Sequence, residues 1–208
     1  MLTKAVYWQM IVNNPAERVQ PPKPPKPKRD CYDEVQTRIL IDNLEKLTGN
    51  DIKYKVAVLL DIFIGARLEE LAGLEWSDID LKNGIISINK SSQYLSDIGI
   101  FTKSPKTESS IRKVAIPDFI VSLLEEYKLW YEEQKSIVGD FWHDSDRLFV
   151  QVDGKPITPL TISKWFEKFI KQIGLPVITF HGLRHTNATL LIAQQVDVAT
   201  VSARLGHA

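Results

Sequence analysis

At 208 residues, the chain is long enough for one domain with a buried core, plus at most a remnant of a second. Its 26 Lys+Arg balance 26 Asp+Glu, so composition alone gives no basic charge that would attract nucleic acid and weighs mildly against such a partner. The single cysteine, Cys31, excludes an internal disulfide and a thiolate zinc site and fits a reducing cytoplasm. No apolar run approaches the ~18 residues of a membrane span, and MLTKAVYWQM lacks the build of a signal peptide.

Charge is unevenly placed along the chain. Residues 1–29 carry six basic residues (Lys4, Arg18, Lys23, Lys26, Lys28 and Arg29) against Glu17, a net +5, which leaves −5 for the rest. Within this stretch PPKPPKPK (21–28) can form neither helix nor ladder bonds and reads as a stiff, extended linker. The amphipathic segment before it, roughly 1–14, is too short to fold alone and reads as the last helix of another domain. The expected division is therefore a remnant over 1–20, a linker over 21–29 and a main domain over 30–208.

After the linker, Asp33 can cap a helix over 34–48 with Val35, Ile39, Leu40, Leu44 and Leu47 on one face. A strongly apolar helix over 52–64 belongs at the centre of the core. Gly65 interrupts it, and a short helix follows over about 67–73. LKNGIISIN is a turn into a strand, because Asn-Gly precedes an alternating β-branched run. Strands near 98–103 and 111–116 are expected to complete one small antiparallel sheet. Pro117 opens a long helix to about 136, RLFVQVDGKPIT (147–158) gives a short strand and turn, and helices follow at 159–173, 180–194 and 197–205. The predicted fold is mainly α with a small antiparallel sheet.

Four short segments carry chemistry. In GARLEELAGLEW, Arg67 and Glu70 are three apart, so a carboxylate can orient a guanidinium from its own helix face, although an isolated pair of this kind is usually a solvated ion pair. In FTKSPKTESSIRKVAIP, a polar tip between two strands carries Lys103, Lys106, Arg112 and Lys113. Such a hairpin can reach DNA phosphates, or simply keep a sheet edge soluble. TFHGLRHTNATLL places His181, Arg184 and His185 at offsets 0, 3 and 4 on one helix with Thr179 as N-cap, where a phosphate would meet helix N–H groups, an arginine and a histidine. His181 and His185 also have metal-ligand spacing, but the metalloprotease pattern needs Glu where Gly182 stands, and Arg184 would repel a cation. Finally, VDVATVSARLGHA is a helix capped by Asp197 and stopped by Gly206, with His207 just beyond it.

G-x-R-x-x-E-L at Arg67, P-K-T at Lys106, H-x-L-R-H-T at His181–Thr186 and L-G-H at His207, in that order, resemble the tyrosine recombinase family of phage integrases. The resemblance runs from about residue 30 to the end. The linker matches the segment joining the family's two DNA-gripping domains, and IVNNPAERV matches the usual exit from its core-binding domain. It implies the tyrosine recombinase catalytic fold. It also implies Arg67 and Arg184 as the phosphate clamp, Lys106 as the acid for the departing 5′-oxygen (Lys103 if the hairpin register differs), His181 as acid–base residue and His207 as a phosphate donor. Glu70 would buttress Arg67, His185 would be supporting, and Lys23, Lys26, Lys28, Arg29, Lys103, Arg112 and Lys113 would contact DNA.

The implied reaction is attack of a tyrosine hydroxyl on a DNA phosphodiester, needing no metal, nucleotide or other cofactor. The implied partners are double-stranded DNA at a specific recombination site, further copies of the chain in a homotetramer on DNA, and accessory DNA-bending or excision-directing proteins. The family's tyrosine lies about nine residues beyond the histidine matched by His207, and the sequence stops after Ala208. Taken alone, these 208 residues are expected to be inactive for cleavage. A non-catalytic DNA-binding remnant is the competing function, and a helical transcription factor is disfavoured because it would not need this set of residues together.

Overall fold

The computed structural model of the protein describes residues 2–19, 31–103 and 111–206. The expected linker 21–29 with Lys23, Lys26, Lys28 and Arg29, the lysine Lys106, and His207 all lie outside the described residues. A short helix, α1 (Leu2–Tyr7), buries no residue. Helix α2 (Glu34–Leu44) starts with a reciprocal cap. Asp33 accepts from the N–H of Gln36 at 2.8 Å, and the Gln36 amide accepts from the N–H of Asp33 at 3.2 Å. It ends earlier than its periodicity suggests. Leu40 and Leu44 are buried, but Val35 and Ile39 face solvent at 68% and 39% exposure, so the expected apolar face was drawn too wide.

Helix α3 (Ile52–Ile64) is buried almost all round, which fits its unbroken apolar run and makes it the central rod of the core. Gly65 ends it in the left-handed conformation (φ 58°), its N–H returning to the carbonyl of Asp61 at 2.8 Å. The turn leads into α4 (Leu68–Ala72).

The β structure differs from expectation. Strands β1 (Ile79–Asp80), β2 (Ile85–Ile88) and β5 (Arg112–Ala115) form an antiparallel sheet in the order β1-β2-β5. Between β2 and β5 the chain makes a separate two-stranded ribbon, β3 (Ser91–Leu95) with β4 (Gly99–Lys103). The expected strand at 98–103 therefore pairs with SSQYL, whose polar residues give no strand signal, and not with the sheet. The segment 147–158 forms only isolated bridges. Its backbone is committed elsewhere: Leu148 donates to the carbonyl of Leu74, and the hydroxyl of Tyr127 donates to the carbonyl of Leu148.

Helices α5 (Asp118–Val138), α6 (Pro159–Gln172), α7 (Phe180–Ala193) and α8 (Val198–Leu205) complete the chain close to their expected bounds. Asp197 caps α8 through the N–H of Thr200, whereas Thr179 occupies the N-cap of α7 without a side-chain bond. Helices α5, α6 and α7 pack around α3. The carbonyls at the end of α3 are orphans by helix geometry, and side chains from α7 and α8 satisfy them. Asn187 donates to Ile62 and Phe63, and Arg204 to Phe63. This docking brings α7 and the end of α8 to the Gly65–Arg67 turn. Among the described residues, no helix is long and apolar enough to cross a membrane.

Candidate active site

Two arginines from distant parts of the chain meet at the end of α8. Arg184, on α7, is 2% exposed and donates through Nη1 to the carbonyl of Gly65 and through Nη2 to that of Leu205, both at 2.6 Å. Arg67, just before α4, reaches the next carbonyl, Gly206, at 3.5 Å. Adjacent carbonyls thus hold two guanidinium groups side by side. Arg67 keeps 40% of its side chain exposed and forms the open side of the pair.

Glu70 holds Arg67 by two hydrogen bonds. Its Oε1 accepts from Nη1 of Arg67 at 2.6 Å and its Oε2 from the N–H of Arg67 at 3.0 Å. Burial alone would raise the Glu70 carboxyl. Hydrogen bonds from Arg112 and Arg67 outweigh that and hold it below the usual glutamate value, so it stays an anion. Arg184 is pulled down to about 10, first by burial and then by the positive charges of Arg67 and Arg112. It therefore remains charged at neutral pH. Two guanidinium groups bond one ionised carboxylate, and Arg184 lies within electrostatic reach of all three, an excess of positive charge suited to an anion.

Arg112 is the clearest departure from the expected site. The sequence suggests a DNA contact on an exposed hairpin tip, but its side chain is 7% exposed and turned inward, donating to Glu70 at 2.8 Å and to the carbonyl of Arg204 at 2.9 Å. Strand alternation could have found this, since Arg112, Val114 and Ile116 share a face and the latter two are buried. Lys103 and Lys113 are exposed on β4 and β5. His181 is exposed on the first turn of α7 and packs edge-to-face on the half-buried His185, ring centroids 4.8 Å apart. Among the described residues, no group of three candidate ligands could hold a metal ion.

Three of the six tyrosines, Tyr32, Tyr127 and Tyr131, are poorly suited to attack a phosphate. Burial raises Tyr32 and Tyr131 to about 12, and Tyr127 further. All three hydroxyls are spent on backbone carbonyls. Tyr54 is stacked on Trp165, and Tyr7 and Tyr94 lie exposed on α1 and β3.

Sequence reading also missed Asp61, a lone acid in the apolar run LLDIFI, one turn before Gly65. It is fully buried, and neither carboxyl oxygen has a hydrogen-bond partner of normal geometry. Burial raises its pKa well above the ordinary 3.8, against the pull of Ala66 and Arg184. A carboxyl whose folded value is raised favours the fold fully below its unfolded value and loses that contribution as pH rises through the folded value. Asp61→Leu is thus expected to stabilise the chain by about 1–3 kcal/mol, the usual size for a buried unsatisfied polar group. The gain should widen as pH rises above 3.8. Thermal melts of both proteins across that range provide the test, and a variant less stable than wild type at every pH would show that the carboxyl is satisfied.

Residues 32–208 match the Phage integrase family. The chain belongs to the phage integrase family. It is 31% identical over 174 residues to a tyrosine recombinase XerC-like protein of Caldanaerobacter subterraneus subsp. tengcongensis, covering 78% of this chain and 44% of that relative. It is 29% identical over 203 residues to the ICEBs1 integrase of Bacillus subtilis, covering 98% of this chain and 54% of that protein. This family member thus spans about half the length of the curated relatives it matches. The Tn1549 transposon integrase, solved in complex with a circular intermediate DNA, superposes with a TM-score of 0.78 at 18% identity over 99% of this chain and 67% of its own. The XerA recombinase does so with a TM-score of 0.68 at 25% identity over 91% and 58%. The fold, mainly helical with small antiparallel β-sheets, is that of tyrosine recombinase catalytic domains.

Proposed function

We propose that residues 30–208 are the catalytic domain of a site-specific DNA recombinase that cuts and rejoins double-stranded DNA through a 3′-phosphotyrosine bond, integrating or excising a mobile element. The observation that carries this reading is the seating of Arg67 and Arg184 on the successive carbonyls of Leu205 and Gly206, with Glu70 fixing Arg67. Two guanidinium groups there can neutralise the non-bridging oxygens of a phosphate as charge shifts in the transition state. His207 directly follows Gly206 in the chain and would donate to the same phosphate, with His181 moving protons near the attacking oxygen. Lys106, on the connection between β4 and β5, would protonate the departing 5′-oxygen.

The covalent phosphotyrosine conserves the energy of the broken bond, so rejoining needs no nucleotide. Residues 1–20 would be the end of a DNA-gripping domain and 21–29 a basic linker along the duplex. The working assembly would be a homotetramer on DNA in the cytoplasm, an arrangement supported by the λ integrase tetramer solved on a Holliday junction, which superposes with a TM-score of 0.61 at 19% identity, over 99% of this chain and 55% of that one.

The test uses the complete reading frame containing these residues, incubated with nicked duplexes made from the two ends of the element that carries it. A covalent protein–DNA adduct is expected, with the modified peptide lying after His207. An adduct mapped to Tyr7, Tyr32, Tyr54, Tyr94, Tyr127 or Tyr131, or none on any end sequence, would overturn the reading.

A further inference from the structure

We infer that Arg112 is a positioning residue of the recombinase site, a single buried side chain that aligns both the Arg67 guanidinium and the end of α8. The inference rests on the proposed function and adds a residue to its machinery. Arg112 projects from β5 on the buried face of the sheet and divides its planar head between two elements. Nη2 donates to Oε2 of Glu70 at 2.8 Å, and Nε donates to the carbonyl of Arg204 at 2.9 Å. Glu70 is the residue that grips Arg67 by both its side chain and its backbone. Arg204 lies on the last turn of α8, directly before the carbonyls that seat Arg184 and Arg67. The fit at this end is close. A Cβ on Gly206 would lie 3.1 Å from Nη1 of Arg112.

Chemistry explains why arginine is needed. Glu70 is 7% exposed, and the bond from Arg112 is the largest influence opposing its burial. Without that bond the carboxyl would grip Arg67 more weakly. A lysine could restore charge beside Glu70 but cannot hold two acceptors on separate elements with one rigid fork.

Arg112→Gln and Arg112→Lys in the complete reading frame separate this role from two simpler ones. Adduct formation on a nicked duplex, measured in a single turnover, is expected to fall by about 10–100-fold in Arg112→Gln, the scale of a small misplacement of a reacting group. Arg112→Lys should recover only part of that loss. The dissociation constant for DNA should stay within about threefold, with an unchanged salt slope, because no phosphate contact is removed. A rate per folded molecule equal to wild type would overturn the inference. Weakened DNA binding with a salt slope reduced by about 0.9 would also overturn it, by making Arg112 a phosphate contact.

Nitrogen-15 NMR of the Arg67 guanidinium in the 208-residue chain gives a reading that does not depend on cleavage. Rotation about its terminal bonds should quicken several-fold in Arg112→Gln, and an unchanged rate would sink the inference. If wild type forms no adduct but the NMR change is seen, the recombinase reading fails and the positioning contact stands.

Discussion

Replacing Arg184 by lysine is expected to lower DNA cleavage by about 10²–10³-fold, the cost of losing one preorganised donor group at a developing negative charge. The variant keeps a positive charge, so a result of this size would show that geometry and not charge alone is at work. Arg184 spends two of its N–H groups on the carbonyls of Gly65 and Leu205, and this fixes the plane of the guanidinium for a phosphate. Lysine cannot hold both carbonyls and also face a ligand. One buried carbonyl would lose its donor, at about 1–3 kcal/mol, and a chain of this size loses about 2–4 °C per kcal/mol. A thermal melt of the 208-residue chain and single-turnover cleavage by the complete reading frame therefore report two separable losses. Cleavage within a few-fold of wild type, with the melt lowered as expected, would mean that Arg184 is a structural tie and not part of the phosphate clamp.

Where a pattern in the sequence is enforced by burial, the structure follows it. The run from Ile52 to Ile64 contains little but apolar residues, and α3 lies where such a run must lie. Asp33, Asp197 and Gly206 mark helix ends because each satisfies or frees a particular backbone group, and all three do so. The pairing of strands was not legible. SSQYL has no β-branched alternation, and it becomes β3 through its ladder with β4 and its packing on α4. Local pattern also failed at Val35 and Ile39, whose spacing is right for a face that no other described element covers.

The motifs that point to the candidate site are legible in the sequence, and the contacts that join Arg67, Glu70 and Arg184 are not. The arginines of G-x-R and H-x-L-R-H stand out as short motifs, but nothing along the chain says that Leu205 and Gly206 will present successive carbonyls to them. Arg112 was misplaced for a related reason. A basic residue in a polar stretch reads as exposed unless the alternation of its strand is followed inward to Val114 and Ile116. Asp61 was passed over because an acid inside an apolar helix contradicts the pattern around it. Such a conflict marks the places where function or strain outweighs local preference.

Gly65→Ala should be among the most damaging single-atom-scale changes, because three requirements meet at that residue. Its φ of +58° is disfavoured for any residue with a Cβ, at roughly 1–2 kcal/mol. The added methyl would sit 2.5 Å from Cδ2 of Leu205 and 2.9 Å from Oδ1 of Asn187. The leucine can shift, but Asn187 is held by the carbonyls of Ile62 and Phe63, so overpacking adds about 1–3 kcal/mol. Together these predict a loss of about 2–5 kcal/mol, read from the urea midpoint of the 208-residue chain. The carbonyl of Gly65 also seats Arg184, and Leu205 supplies the second carbonyl. Relief of the clash must therefore move the guanidinium or the end of α8. Cleavage by the folded variant should fall even under conditions where it is fully native. A variant that melts early yet cleaves at the wild-type rate when folded would show that the junction at Gly65 supports the core without setting the geometry of the arginine pair.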